Sequence, residues 1–152
     1  MSGPAEIMTD TFQAHTLMDK DGKPVVQHFD RVTRYELTSV QGSDVMLLDV
    51  NSDLYPLKNG TSYRIRVSSV PDFNTNKDLE ILQQEQSAME YAMAGTIFRF
   101  EIADGTEADR ACTVYASFGG LIMELRSTLN TLNSFAMDQK VYITMYEVQR
   151  PI

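Results

Sequence analysis

The sequence predicts an all-β fold, a barrel or a sandwich, and no long helix. Three observations carry that expectation. Six to eight segments alternate apolar and polar residues at the spacing of consecutive hairpins. Asn59-Gly60 is a strong two-residue turn signal, because both residues tolerate the positive φ that tight hairpins require. Gly119-Gly120 stands in the middle of a run that otherwise reads as strand, which marks a bulge, a sharp bend or the close approach of another backbone.

Residues 1–27 hold no sustained period and read as an irregular N-terminal segment, with Phe12 either anchored to the core or in a mobile tail. From Phe29 a strand pattern begins, with Phe29, Arg31, Thr33, Tyr35 and Leu37 on one face. A turn at residues 41–44 leads into a short apolar strand over 45–50. After Asn59-Gly60, Tyr63, Ile65 and Val67 alternate with Arg64, Arg66 and Ser68, which predicts one buried face and one carrying arginines. The polar stretch 71–87 is expected to be a flexible, variable loop. Strand character returns over 89–102, where Phe98, Phe100 and Ile102 are expected to share a face. Cys112, Val114, Ala116 and Phe118 form the inward set of the next strand. Leu121, Leu125, Leu129 and Leu132 fit helical spacing, but Leu121, Met123 and Leu125 fit a strand equally well. The preferred reading is a strand to Arg126, then a loop with a short helical turn near 130–134. A last strand over 140–148 sets Val141, Ile143 and Met145 against Tyr142, Thr144 and Tyr146.

Length and composition bound the rest. At 152 residues and 43% hydrophobic content the chain reads as one globular domain, residues 1–152, with a core large enough to need no staples. Its apolar runs are far shorter than a membrane span, so no membrane association is expected. Cys112 is the single cysteine, which excludes an internal disulfide and suits a reducing compartment. A net charge of −8 opposes a general affinity for phosphate backbones and favours protein partners with basic surfaces.

No catalytic constellation, metal site or cofactor motif is read. His15 and His28 with one cysteine fit no zinc spacing. Asp19-Lys20-Asp21-Gly22 has only a faint likeness to a calcium loop, since Asp30 stands where the bidentate glutamate belongs. Asp49 and Asp53 lack further carboxylates and read as capping or surface residues. Gly119-Gly120 has neither the lysine nor the flanking glycines of a phosphate loop. Arg31, Arg34 and Tyr35, with Arg64 and Arg66, could instead grip phosphates and stack a base as single-strand-binding barrels do. The competing reading pairs these arginines with the protein's own carboxylates.

Five segments taken in order carry a resemblance: residues 29–34, 47–57, 90–100, 115–126 and 135–145. With Phe29-Asp30-Arg31-Val32-Thr33-Arg34 and Ser117-Phe118-Gly119-Gly120-Leu121, the chain resembles the small eighth subunit shared by eukaryotic nuclear RNA polymerases I, II and III. The resemblance implies an antiparallel eight-stranded barrel related to the oligonucleotide-binding (OB) fold, with no active site and no cofactor of its own. It implies docking on the largest polymerase subunit, nucleic-acid contact that is weak or indirect, and residence in the nucleus, including the nucleolus through polymerase I. Tyr91, Gly95, Phe118, Gly119, Gly120 and Leu121 match family positions and are the candidates for partner binding or barrel closure. Ala94 departs from the family, which usually has an aromatic there. The alternative expectation is a free-standing single-stranded nucleic-acid-binding module built on Arg31, Arg34 and Tyr35.

Overall fold

A computed structural model describes residues 6–18, 20–23, 31–69 and 89–148. Its strands are β1 (Glu6–Thr16), β2 (Val32–Ser39), β3 (Val45–Asn51), β4 (Ser62–Ser69), β5 (Tyr91–Ile102), β6 (Ala111–Phe118), β7 (Leu121–Thr128) and β8 (Lys140–Glu147), with one helical turn, α1 (Leu129–Leu132). The strands close into an antiparallel barrel in the order β1-β2-β3-β7-β6-β5-β8-β4. The expected all-β, eight-stranded antiparallel barrel is therefore what this sequence forms.

Alternation explains why these segments are strands. Tyr63, Ile65 and Val67 on β4, Cys112, Val114, Ala116 and Phe118 on β6, and Val141, Ile143 and Met145 on β8 are all buried. Each set sits at period two, so one face of every strand supplies the interior. The barrel is filled by these side chains and is a packed core.

Each end is closed by a connection that crosses it. β3 and β4 are consecutive in sequence yet are not neighbours in the barrel. Residues 52–61 must therefore pass over the ends of β2 and β1. On the way Leu57 enters the core. Its N–H donates to Tyr35 Oη on β2 at 3.3 Å, and the Lys58 N–H donates to Tyr63 Oη on β4 at 2.9 Å. The opposite end is closed by α1 and the residues after it, through buried Leu132 and Phe135. Thr128 caps α1, its Oγ1 accepting the Thr131 N–H at 3.2 Å.

Four expectations are corrected. Residues 1–27 were expected to be irregular, but β1 occupies Glu6–Thr16 and buries Phe12 and Ala14 completely. The positions that alternate with buried Phe12 and Ala14 on the same face include the polar Asp10 and Thr16, so local hydrophobic periodicity is faint and the strand is held by pairing with β2 and β4. Asn59-Gly60 makes a turn, with Thr61 N–H to Lys58 C=O at 3.1 Å, but joins no hairpin, because β3 and β4 do not pair. Asn59 Oδ1 instead accepts from the Thr16 backbone at 3.0 Å and ties the crossing to β1. Gly119-Gly120 does not bend a single strand. With φ of +64° and +101° these glycines form the two-residue turn between β6 and β7. Finally, a register shift between Ile97 and Arg99 marks a bulge at Phe98. Ile97, Phe100 and Ile102 oppose the buried residues Ala116, Val114 and Cys112, whereas the Phe98 ring turns to the Tyr115 ring. Phe98 thus leaves the face expected for it.

The helical turn comes slightly earlier than expected, at Leu129–Leu132. The loop expected over 71–87 lies outside the described residues.

Candidate functional site

The strand directions gather the ends of β1, β3, β6 and β8 and the starts of β2, β4, β5 and β7 at one end of the barrel. Tyr91, Gly95, Phe118, Gly119, Gly120 and Leu121 all belong to that half of the molecule. Gly95 is there because a neighbouring backbone comes too close for a side chain. A Cβ at this position would stand 2.3 Å from the Ser117 carbonyl oxygen and 2.7 Å from Phe118 Cδ1. Phe118 thus packs over Gly95 and is buried. Gly119, Gly120 and Leu121, with Val32 and Asp49, line a cavity of about 230 Å³ where β3 and β7 part.

That parting is bridged by a carboxylate. Direct pairing of β3 with β7 runs only from Val45↔Arg126 to Leu48↔Met123. At the next position Asp49, 5% exposed, accepts the Ile122 N–H at 3.0 Å through Oδ2. The same carboxylate takes both Arg34 Nε at 2.7 Å and Arg34 Nη2 at 3.1 Å. The fork-to-fork geometry is the strong form of this pair. The Asp49 hydrogen bond is the main cause that raises the Arg34 guanidinium pKa above its ordinary value, against an opposing effect of burial. Asp49 thus joins β2, β3 and β7. Sequence reasoning placed it among capping or surface residues, but Arg34↔Asp49 is a directly opposed cross-strand pair, so opposite charges on adjacent strands were the available signal.

Aromatic rings cover the rest of this end. Tyr55 from the crossing connection stacks on Tyr91 with centroids 5.3 Å apart and meets Tyr63 edge-on at 6.0 Å. Tyr91 Oη accepts the Asn51 N–H at 3.1 Å. Tyr55 Oη donates to Glu90, which also accepts the Glu147 N–H at 2.9 Å. Burial first, and the Glu90 carboxylate second, push the Tyr55 hydroxyl far above its usual range. It stays a neutral donor at physiological pH.

The residues expected to contact nucleic acid are engaged otherwise. Tyr35 is 6% exposed, so its ring faces are not offered for stacking. Arg31 pairs with Asp53 at 3.2 Å and Arg34 with Asp49. Arg66 pairs with Glu6 at 3.3 Å, and Arg64 donates to Thr11 Oγ1 at 3.1 Å. Cys112 is buried, and burial raises its thiol pKa. Among the described residues no group of three or more His, Cys, Asp or Glu side chains is arranged to hold a metal ion.

Fold and site define a small closed barrel in which Asp49, Arg31, Arg34, Arg64 and Arg66 are engaged with its own strands and crossings. The chain belongs to the RNA polymerase Rpb8 family, whose model matches residues 9–147. The match begins well before Phe29 and takes in most of β1. A Caenorhabditis elegans relative, a probable RPABC3 subunit of DNA-directed RNA polymerases I, II and III, is 30% identical over 149 residues, covering 91% of this chain and 94% of its own. The Schizosaccharomyces pombe RPABC3 subunit of the same three polymerases is 30% identical, with 91% and 95% coverage. An Arabidopsis thaliana relative, subunit 8B of polymerases II, IV and V, is 29% identical, with 84% and 87% coverage.

Proposed function

We propose that this chain is a non-catalytic structural subunit common to DNA-dependent RNA polymerases I, II and III, docked on the largest subunit. It would work in the nucleus, including the nucleolus where polymerase I is served. The observation that carries this reading is the family match over residues 9–147, which reaches from β1 to the end of β8. The physical role follows from rigidity. A barrel closed at both ends reaches its partner already ordered, so association loses little conformational entropy. In this reading Tyr91, Gly95, Phe118, Gly119, Gly120 and Leu121 serve barrel closure, and nucleic acid is contacted weakly or indirectly.

Mass spectrometry of proteins co-purifying with the tagged endogenous chain in gentle salt tests the proposal. Largest subunits of all three nuclear polymerases are the expected result. Recovery of one polymerase alone would restrict the chain to that enzyme. Recovery of nucleic acid without any polymerase would overturn the reading.

A further inference from the structure

β5 is the longest strand, 12 residues, and it outruns one of its neighbours. On the β8 side its pairing ends at Thr96↔Lys140, extended only by Ile97 N–H to Gln139 C=O and Asp138 N–H to Ile97 C=O, both 2.9 Å. On the β6 side it continues to Ile102↔Cys112, and the Ala103 N–H donates to the Ala111 carbonyl at 2.9 Å. Strand alternation from Ala103 directs the N–H and C=O of Phe100 and Ile102 away from β6. Among the described residues no strand pairs with them there. A barrel normally leaves no edge, so an open one is a defined template for another chain.

The surroundings fit an occupant. Ile102 is 46% exposed and Met137, next to the Asp138 that bonds Ile97, is 53% exposed. Phe98, 44% exposed, adds apolar surface on the bulge. On the outer face Tyr115 Oη donates to Glu101 at 2.6 Å, Arg99 lies 3.3 Å from the same carboxylate, and the Arg99 guanidinium stands 5.5 Å from the Tyr115 ring centre. These contacts fix the side chains before any partner arrives. Asp104, Glu107 and Asp109 in the following connection are exposed, in a chain of net charge −8.

We propose that the β5 edge at Phe100 and Ile102 takes an extended segment of a larger partner protein by strand addition. The segment is apolar where it lies against Ile102 and Met137 and basic where it approaches Glu101 and Asp104. The inference rests on the subunit reading above and names the face that docks.

Amide hydrogen exchange of the chain alone and within the purified polymerase tests it. Phe100 and Ile102 amides are expected to exchange fast in the free chain and to slow at least about tenfold in the complex, while Glu101, bonded to β6, is slow in both. Ile102→Pro removes the outward N–H and the apolar side chain while sparing the bonds to β6, and Ile102→Lys keeps the N–H and adds charge at the edge. Both are expected to keep the free chain's melting temperature within a few degrees, yet to reduce recovered polymerase about tenfold, the signature of ~1.4 kcal/mol. Equal exchange in both states, with polymerase recovered normally, overturns the edge and leaves the subunit reading intact. Slow exchange in the free chain shows the edge already filled by this chain or a second copy, and also overturns it. Absence of polymerase from the wild-type preparation overturns both.

Discussion

At the scale of single residues, Asp49 and the glycines separate two kinds of constraint. Asp49 is a buried acceptor for three hydrogen bonds, so Asp49→Ala leaves the Arg34 guanidinium and the Ile122 N–H without their partner. Stranding buried polar groups costs roughly 2–3 kcal/mol, since Arg34 is partly open to water. The Arg31–Asp53 pair is exposed on both sides, so Asp53→Ala should cost less than about 1 kcal/mol. Urea denaturation of the two variants side by side checks this, and equal losses would contradict the assigned role. Gly95→Ala meets the Ser117 backbone at 2.3 Å, which no rotamer relieves, and should cost about 3 kcal/mol or prevent folding. Gly119→Ala meets nothing within 4 Å and carries only the cost of φ +64°, about 1 kcal/mol. Of these two candidates for barrel closure, Gly95 is therefore the one that a side chain should damage more, and thermal melts of both variants decide the order.

At the scale of elements, the barrel depends on the two described crossings, β3 to β4 and β7 to β8, as much as on its strands. α1 has only four residues, far too few to be helical on propensity alone. Its existence rests on Leu132, which is fully buried, and on hydrogen bonds from Leu129 and Asn130 to the β5–β6 connection at 2.9 Å. Leu132→Ala should therefore cost roughly 2–4 kcal/mol, whereas the exposed Met137→Ala should stay within about 0.5 kcal/mol. Calorimetry of both variants measures the difference. The ambiguity of this region in sequence has a physical source. Leu121 to Leu132 serves first a strand and then a helical turn, and leucines spaced by four satisfy both. Likewise Asn59-Gly60 correctly signalled a turn, because turn chemistry is local. Which strands that turn joins is set by pairings tens of residues apart.

At the scale of the whole molecule, the tyrosines whose hydroxyls are raised by burial or by a carboxylate predict a loss of stability at alkaline pH. The Glu101 hydrogen bond pushes Tyr115 up to about 12, and burial raises Tyr55, Tyr63 and Tyr142. An unfolded tyrosine titrates near ~10. The native state therefore holds these protons when the unfolded chain has begun to lose them. Their contribution is complete below about pH 10 and is lost as pH rises through the raised native values, beginning between about 10 and 12. Chemical denaturation at intervals from pH 8 to pH 11 should show a plateau followed by a fall, and Tyr115→Phe should soften the fall. A flat profile to pH 11 would refute this account.

Local sequence suffices for the strand class, the inward residues of β4, β6 and β8, the turn at Asn59-Gly60 and the family. Each of these is written in a local pattern of two or three residues or in the identity of short segments. The rest comes from the tertiary structure: that residues near the N-terminus supply β1, that Asp49 bridges β2, β3 and β7, that Phe98 bulges out of its expected face, and that β5 outruns β8, so that among the described residues no strand lies beside Phe100 and Ile102. Those outcomes depend on which strands lie beside one another and on how far each outruns its neighbour. Barrel closure fixes both through contacts between residues distant in the chain, and no local pattern encodes them.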